Sequence, residues 1–254
     1  MKIRLLPSAA GRESQLQCLT SFLVDDRIAV DGGSIGFALL PSEIGGIRHI
    51  VVTHAHNDHI ASLPIYVAEA FSGLDSPVVI HATGEVIAAL REFVFNDQIS
   101  PDFETIPLVN QSGPALRFDE MPTRRKLKIA GLDVTPIPVN HIVPTVGLLV
   151  ENESSSVVFT SDTYTTDEIW KVARAARNLK AVFVDVSYPN ELSELAAASK
   201  HLTPELLGGE LQKLDRDVPV IAVHIKPTNR DDVIRQLGSL KQVSVGEIDR
   251  VYEW

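Results

Sequence analysis

The sequence predicts an α/β protein in which helices cover β-sheets, and three observations carry that prediction. Short β-branched runs such as Ile50-Val51-Val52 read as buried strands and recur along the whole chain. Segments with helical spacing fall between them at 58–72, 84–95, 167–178, 204–213 and 231–240. The alternation holds in both halves, which favours sheets layered with helices over an all-β sandwich. With 254 residues, 44 % of them hydrophobic and 22 % charged, the chain can bury a sizeable core as one large domain or two small ones.

Taken in order, 2–6, 21–24 and 27–30 read as short strands, with Asp25-Asp26 in the turn of a hairpin. Gly32-Gly33 follows Val30-Asp31 and is read as a place where the backbone bends tightly. Residues 49–53 form a strand, 58–72 a helix that tolerates Pro64 near its start, 78–81 a strand and 84–95 a helix. The stretch 96–125 contains Pro101, Pro107, Pro114 and Pro122 and reads as a loop-rich insertion within a single domain. A connection that long is expected to act as a lid or specificity element. Apolar runs at 127–129, 132–139, 146–150 and 157–160 then lead to the helix at 167–178 and a strand at 181–184. Helix, strand and helix follow at 204–213, 218–224 and 231–240. No low-complexity segment or internal repeat is evident.

The most informative stretch is Thr53-His54-Ala55-His56-Asn57-Asp58-His59. It holds three of the eight histidines and an aspartate where the strand Ile50-Val51-Val52 gives way to a loop. Imidazole nitrogens and a carboxylate suit zinc, and two-metal hydrolytic sites need about this many donors. The single Cys18 supplies no thiolate cluster, so a metal site must come from His, Asp and Glu. Three later residues repeat the design of a donor closing an apolar strand: His141, Asp162 and His224. Strand ends of an α/β fold converge at one edge. His54, His56, Asp58, His59, His141, Asp162 and His224 therefore form a candidate set for two divalent ions, with one carboxylate bridging. Zinc is expected, and Mn2+ or Fe2+ also suits such donors.

The formal charge of −10 disfavours long nucleic acid, because the only dense basic cluster, Arg124-Arg125-Lys126-Leu127-Lys128, reads as the solvated start of a strand. A single phosphate remains compatible, since metals and helix ends can hold one. No apolar stretch reaches the length of a membrane span, and the first residues, broken by Arg4 and Pro7, do not resemble a secretory signal. A cytoplasmic protein is expected, free of membrane. Its oligomeric state is open, a homodimer that completes the pocket included.

The motif His54-x-His56-x-Asp58-His59, followed by His141, Asp162 and His224 and preceded by Asp31, resembles the metallo-β-lactamase superfamily over nearly the whole chain. The resemblance implies a four-layer αββα sandwich with a dinuclear site at one edge. It implies that His54, His56 and His141 hold one metal, that Asp58, His59 and His224 hold the other, and that Asp162 bridges. Asp31 would orient ligands without binding metal. Within that superfamily, Val184-Asp185-Val186-Ser187-Tyr188-Pro189-Asn190-Glu191-Leu192, His201-Leu202-Thr203-Pro204 and His224-Ile225-Lys226-Pro227 resemble class II cyclic-nucleotide phosphodiesterases. Asn96 with Pro101-Asp102-Phe103 fits the same group, whereas Asn57 and Pro64 depart from its usual Leu and aliphatic residue.

This second resemblance implies hydrolysis of 3′,5′-cyclic nucleotides, cAMP or cGMP, to 5′-monophosphates by a metal-bound hydroxide. Asp58 and His201 are its catalytic candidates, His201 as proton donor to the leaving ribose 3′ oxygen. Thr203, Pro204 and Glu205 form a sound helix start just after it. Lys226 is a candidate phosphate contact. The alternatives on the same scaffold are an RNA-processing phosphodiesterase, a thioesterase or a lactonase, and outside enzymology a metal-binding module without turnover.

Overall fold

Among the described residues, two seven-stranded sheets share one pairing scheme, antiparallel strands followed by parallel ones. The computed structural model describes residues 1–9 and 14–254. It opens with β1 (Lys2–Leu5), β2 (Phe22–Val24) and β3 (Ile28–Val30), each antiparallel to the next. Asp25 and Asp26 both lie at φ 50° in the turn between β2 and β3, which the Arg27 N–H closes onto the Val24 carbonyl at 3.0 Å. The pairing then turns parallel through β4 (His49–Val51), β5 (Val78–Ala82) and β6 (Leu116–Glu120).

The second sheet repeats this order. Strands β7 (Leu127–Ile129), β8 (Leu132–Pro138), β9 (Val146–Glu151) and β10 (Ser156–Phe159) are successively antiparallel. Strands β11 (Leu179–Asp185), β12 (Val220–Val223) and β13 (Val243–Val245) then add in parallel. Finally β14 (Val251–Glu253) returns to pair with β1. The repeat lies in topology, not in residue identity, which is why no period shows in the sequence.

Strand alternation sorts the apolar residues into layers. Val51 faces inward with Val24, Val30, Leu148, Phe159 and Phe183 between the sheets, whereas its neighbour Ile50 faces out. The rings of Phe22, Phe159 and Phe183 lie 5.1–5.4 Å apart at the centre of that inner layer. On the first sheet's outer face lie the helices α1 (Ile35–Ala38), α2 (Asn57–Ile60), α3 (Leu63–Ala70) and α4 (Gly84–Phe93). Leu63, Tyr66, Val67, Val86 and Leu90 of α3 and α4 pack there over Ile50 and Ile80. After α5 (Glu168–Ala175) and α6 (Ser193–Ser199) come α7 (Pro204–Leu214) and α8 (Arg230–Leu237). Trp170, Leu207 and Val233 cover the second sheet's outer face at Val158, Val182 and Ala222. The expected four-layer αββα order is what the chain forms. Among the described residues, no helix is long and apolar enough to cross a membrane.

Beyond α1, α6, β13 and β14, which the sequence reading does not contain, two segments take a form other than the one expected. The helix expected over 58–72 breaks between α2 and α3, because Pro64 has no N–H to give and its ring crowds the carbonyl of Ile60. Ser62 uses the break: its hydroxyl donates to the Gly32 carbonyl at 2.8 Å and accepts from the Gly36 N–H at 2.9 Å. The stretch 96–125 is not all loop, since it contains β6 and buries Phe103, Leu108 and Ala115 against the first sheet's outer core. The edge strand β6 escaped notice because Arg117, Asp119 and Glu120 interrupt its apolar pattern.

Candidate metal centre

The histidine-rich loop is fixed to its own sheet by backbone contacts. The Asp31 N–H donates to the Val51 carbonyl at 2.8 Å, so the residue after β3 lies beside the end of β4. Asp31 Oδ1 accepts from the Thr53 N–H at 2.8 Å, and Asp31 Oδ2 lies 2.8 Å from His59 Nδ1. The Thr20 and Gly32 N–H groups donate to the Asp58 and His59 carbonyls at 2.8 and 2.7 Å. Gly33 permits this close approach: a Cβ there would stand 2.0 Å from the Asp58 carbonyl oxygen. Gly33 is thus required for space, Gly32 packs against the Leu63 side chain, and neither has the positive φ that a tight bend would need.

Across the site, His141 follows β8, Asp162 follows β10 and His224 follows β12. Asp31 and His224 at φ 60° and Ser161 at φ 55° are in the left-handed region, an uncommon conformation for non-glycine residues. Each redirects the chain as it leaves a strand. The seven expected donors come together in two groups, His54, His56, His141 and Asp162 in one and Asp58, His59 and His224 in the other. Asp162 faces both. Its Oδ2 lies 3.5 Å from His54 Nε2 and 4.0 Å from His141 Nε2, and its Oδ1 lies 3.3 Å from His59 Nε2 and 3.6 Å from His224 Nε2.

In four of the five ligand histidines the second ring nitrogen explains the aim of the first. Nδ1 of His54 lies 3.1 Å from Thr53 Oγ1, that of His59 meets Asp31, and that of His141 lies 3.1 Å from the Lys200 carbonyl. His224 Nδ1 lies 3.0 Å from Ser187 Oγ. His54 Nε2 is buried with no hydrogen-bond partner among the described residues, an arrangement that a polar interior does not normally leave. A cation bound by these nitrogens would resolve it, so the residues fit divalent metal.

Electrostatics separate the two groups. Burial pushes His54 down to about 4 and also lowers His56 and His141, favouring neutral rings with free lone pairs. Burial opposes charge on His59 and His224 as well, but Asp162 outweighs it: His59 lies well above its ordinary value and His224 at about 9. Burial would raise Asp58 and Asp162, yet the neighbouring histidines hold both carboxyls below their usual range. The carboxylates here demand positive charge. A divalent ion would supply it and displace the protons of His59 and His224.

His201 lies at the same edge, its ring stacked on His224 at 5.4 Å and edge-on to His141 at 5.1 Å. Thr203 caps α7 behind it, its Oγ1 accepting from the Leu206 N–H at 3.3 Å. Lys226 Nζ donates to Asp58 Oδ2 at 3.2 Å. Sequence reasoning missed two residues, although both stood in a motif it quoted. Asp185 closes β11, and Ser187 follows two positions on. Asp185 Oδ2 lies 2.7 Å from His201 Nδ1 and its Oδ1 accepts from Ser187 Oγ at 2.7 Å. The available signal was the same one that found Asp162, a polar residue ending a buried strand. Beside His141 opens a cleft of ≈ 440 Å³, lined by Thr83, Glu85, Thr123, Ile142 and Pro144 among others.

A family model described as a beta-lactamase superfamily domain matches residues 35–225, which is most of the chain. The chain belongs to the β-lactamase superfamily. A superfamily relative from Yersinia pestis, named a probable 3′,5′-cyclic-nucleotide phosphodiesterase, is 28 % identical over 208 residues. That match covers 72 % of this chain and 58 % of the relative, so the chain spans less than two thirds of the relative's length. The solved structure of unliganded yeast PDE1 is similar at a TM-score of 0.80, with 17 % identity over 98 % of both chains. The short form of human tRNase Z is similar at 0.70, with 15 % identity over 100 % of this chain and 99 % of its own. This superfamily member therefore combines the metallo-β-lactamase fold with His/Asp clusters able to hold divalent metal.

Proposed function

We propose that the site hydrolyses 3′,5′-cyclic nucleotides, cAMP or cGMP, to 5′-monophosphates. The observation that carries this reading is the two-group donor set joined by Asp162, with His201 and Lys226 at the same edge. The name of the 28 % identical relative supports the substrate class. One ion would be held by His54, His56, His141 and Asp162, the other by Asp58, His59, His224 and Asp162. Bound there, the ions activate water and offset charge that develops on phosphoryl oxygens.

The remaining work falls to the protein. Asp58 Oδ2 keeps the Lys226 ammonium beside the donor set, where it can contact a phosphate oxygen. His201 gives a proton to the ribose 3′ oxygen as the P–O3′ bond breaks. The cleft beside His141 lies within the size range of small-molecule sites and has room for the nucleoside.

The test is to incubate metal-quantified protein with cAMP and cGMP and follow 5′-monophosphate. Turnover that a chelator abolishes is the expected result. About two bound metals per chain without turnover of either nucleotide would move the substrate to another ester, and full turnover by His56→Ala would remove the metal scheme altogether.

A further inference from the structure

Helix α4 begins at the cleft beside His141, where Thr83 holds its N-cap position. The Thr83 side chain nevertheless accepts no hydrogen bond from the turn that follows. The residue is 6 % exposed, and its hydroxyl is buried without a hydrogen-bond partner among the described residues. A hydroxyl left in that state costs stability unless a ligand meets it. Glu85, in the first turn of α4, lines the same cleft. Ile142, 56 % exposed, and Pro144 give it an apolar wall next to His141. Charge decides which end of a nucleotide lies here. Besides Glu85 there is Glu120, whose Oε1 stands 3.4 Å from where a Cβ on Gly84 would lie. Two carboxylates repel a phosphate, which the metal centre attracts, and favour a neutral ring bearing N–H groups.

A carboxylate accepts with two oxygens and donates nothing, whereas a hydroxyl can donate. Guanine presents N1–H and N2–H side by side with O6 next to them, two donors for a carboxylate and an acceptor for a hydroxyl. Adenine presents one amino group beside N1, whose lone pair would face a carboxylate oxygen. We propose that Thr83 and Glu85 bind the base edge of the nucleotide and select guanine, with the purine face against Ile142 and Pro144. Glu85 takes N1–H and N2–H, and the Thr83 hydroxyl donates to O6. The place of the phosphate rests on the phosphodiester reading above, and on that reading cGMP is the preferred substrate.

Titration of the metal-loaded chain with 5′-GMP and 5′-AMP reads the selection without turnover. GMP is expected to bind about 10–100-fold more tightly, the worth of one good two-point contact to a base. The ratio of kcat/KM for cGMP over cAMP should match. Glu85→Gln is expected to bring both ratios to about one or reverse them, because an amide offers one acceptor and one donor, the pattern adenine meets. Thr83→Val keeps the shape and removes the hydroxyl, so GMP should bind about 3–10-fold more weakly while Tm holds or rises. A lower Tm in that variant would make the hydroxyl a support of the fold and overturn its role in binding. A parent that binds and cleaves both nucleotides alike, or a ratio that survives Glu85→Gln, overturns the guanine assignment and leaves the phosphodiester reading intact. Selective binding of GMP with neither cyclic nucleotide cleaved does the reverse: it refutes that reading and keeps the guanine site. Binding of neither monophosphate, with neither cyclic nucleotide cleaved, overturns both.

Discussion

The first sheet brings its four donors, His54, His56, Asp58 and His59, from the single segment that runs from the end of β4 into α2, whereas the second brings His141, Asp162 and His224 from the ends of three different strands. The loop is shaped locally, by Asp31, by Gly33 and by the N–H groups of Thr20 and Gly32. The other three depend on the register of β8, β10 and β12, because a slip of one residue turns every side chain to the opposite face. A change at one donor of the first half is therefore expected to act mainly on the group that donor belongs to, His54 and His56 in one and Asp58 and His59 in the other. Damage at the residue that joins the halves is expected to reach both.

Asp162→Ala gives the largest expected effect. It removes the oxygens that stand 3.5 Å from His54 Nε2 and 3.3 Å from His59 Nε2. Bound metal should drop from about two ions per chain to one or none, with activity at background. In the metal-free state His59 and His224 also lose the buried counter-charge that raises them, and unfolding free energy should fall by about 3–5 kcal/mol. Metal analysis and urea unfolding of the chelated protein measure the two effects. Two retained metals in this variant would mean that the halves assemble their groups independently.

Asp31→Asn probes the local half alone. It weakens the hold on His59 Nδ1 while His141 and His224 keep their own partners. A loss of about 10–100-fold in metal affinity is expected, the usual range for partners behind the ligands. Competitive titration should find the larger loss in the group containing His59, which Asp31 meets directly, and a smaller one in the group of His54, His56 and His141, which it reaches only through Thr53. Equal weakening of both would show that the loop's geometry is not set locally.

The same contrast explains what the sequence made legible. Three histidines and an aspartate in one loop announce themselves, and the apolar run before them fixes their place at a strand end. His141, Asp162 and His224 could be found because each closes a strand. Asp185 does so as well, but its contribution passes through His201, and no spacing reveals a contact between residues on different elements. Gly33 reads as a bend because backbone freedom follows from residue type, whereas the nearness of the Asp58 carbonyl, which is what requires it, does not. The layer order was legible from alternating strands and helices together with the family motif. The doubled topology was not, because sheet pairing repeated without its residues repeating.

The halves also differ in how fully they use their histidines. His141, His201 and His224 of the second half all lie at the site, whereas His49 and His81 of the first stand apart from it. His49 Nδ1 lies 2.9 Å from His81 Nε2, and the nearest carboxylate oxygen, Asp119 Oδ2, is 4.0 Å from His81 Nδ1. Burial, reinforced by His49, pushes His81 down to about 4. A folded-state value below the ordinary 6.5 means that the unfolded chain takes up its proton first as pH falls. Stability is thus lost between about pH 6.5 and 4, by up to about 3 kcal/mol from this one group, and levels off below. His81→Gln should flatten the acid limb of urea-unfolding curves by that amount and leave turnover and metal content as in the parent. Parallel curves for parent and variant would mean that His81 does not stay neutral in the fold. A change in metal content would instead extend the site into the first sheet beyond its single loop.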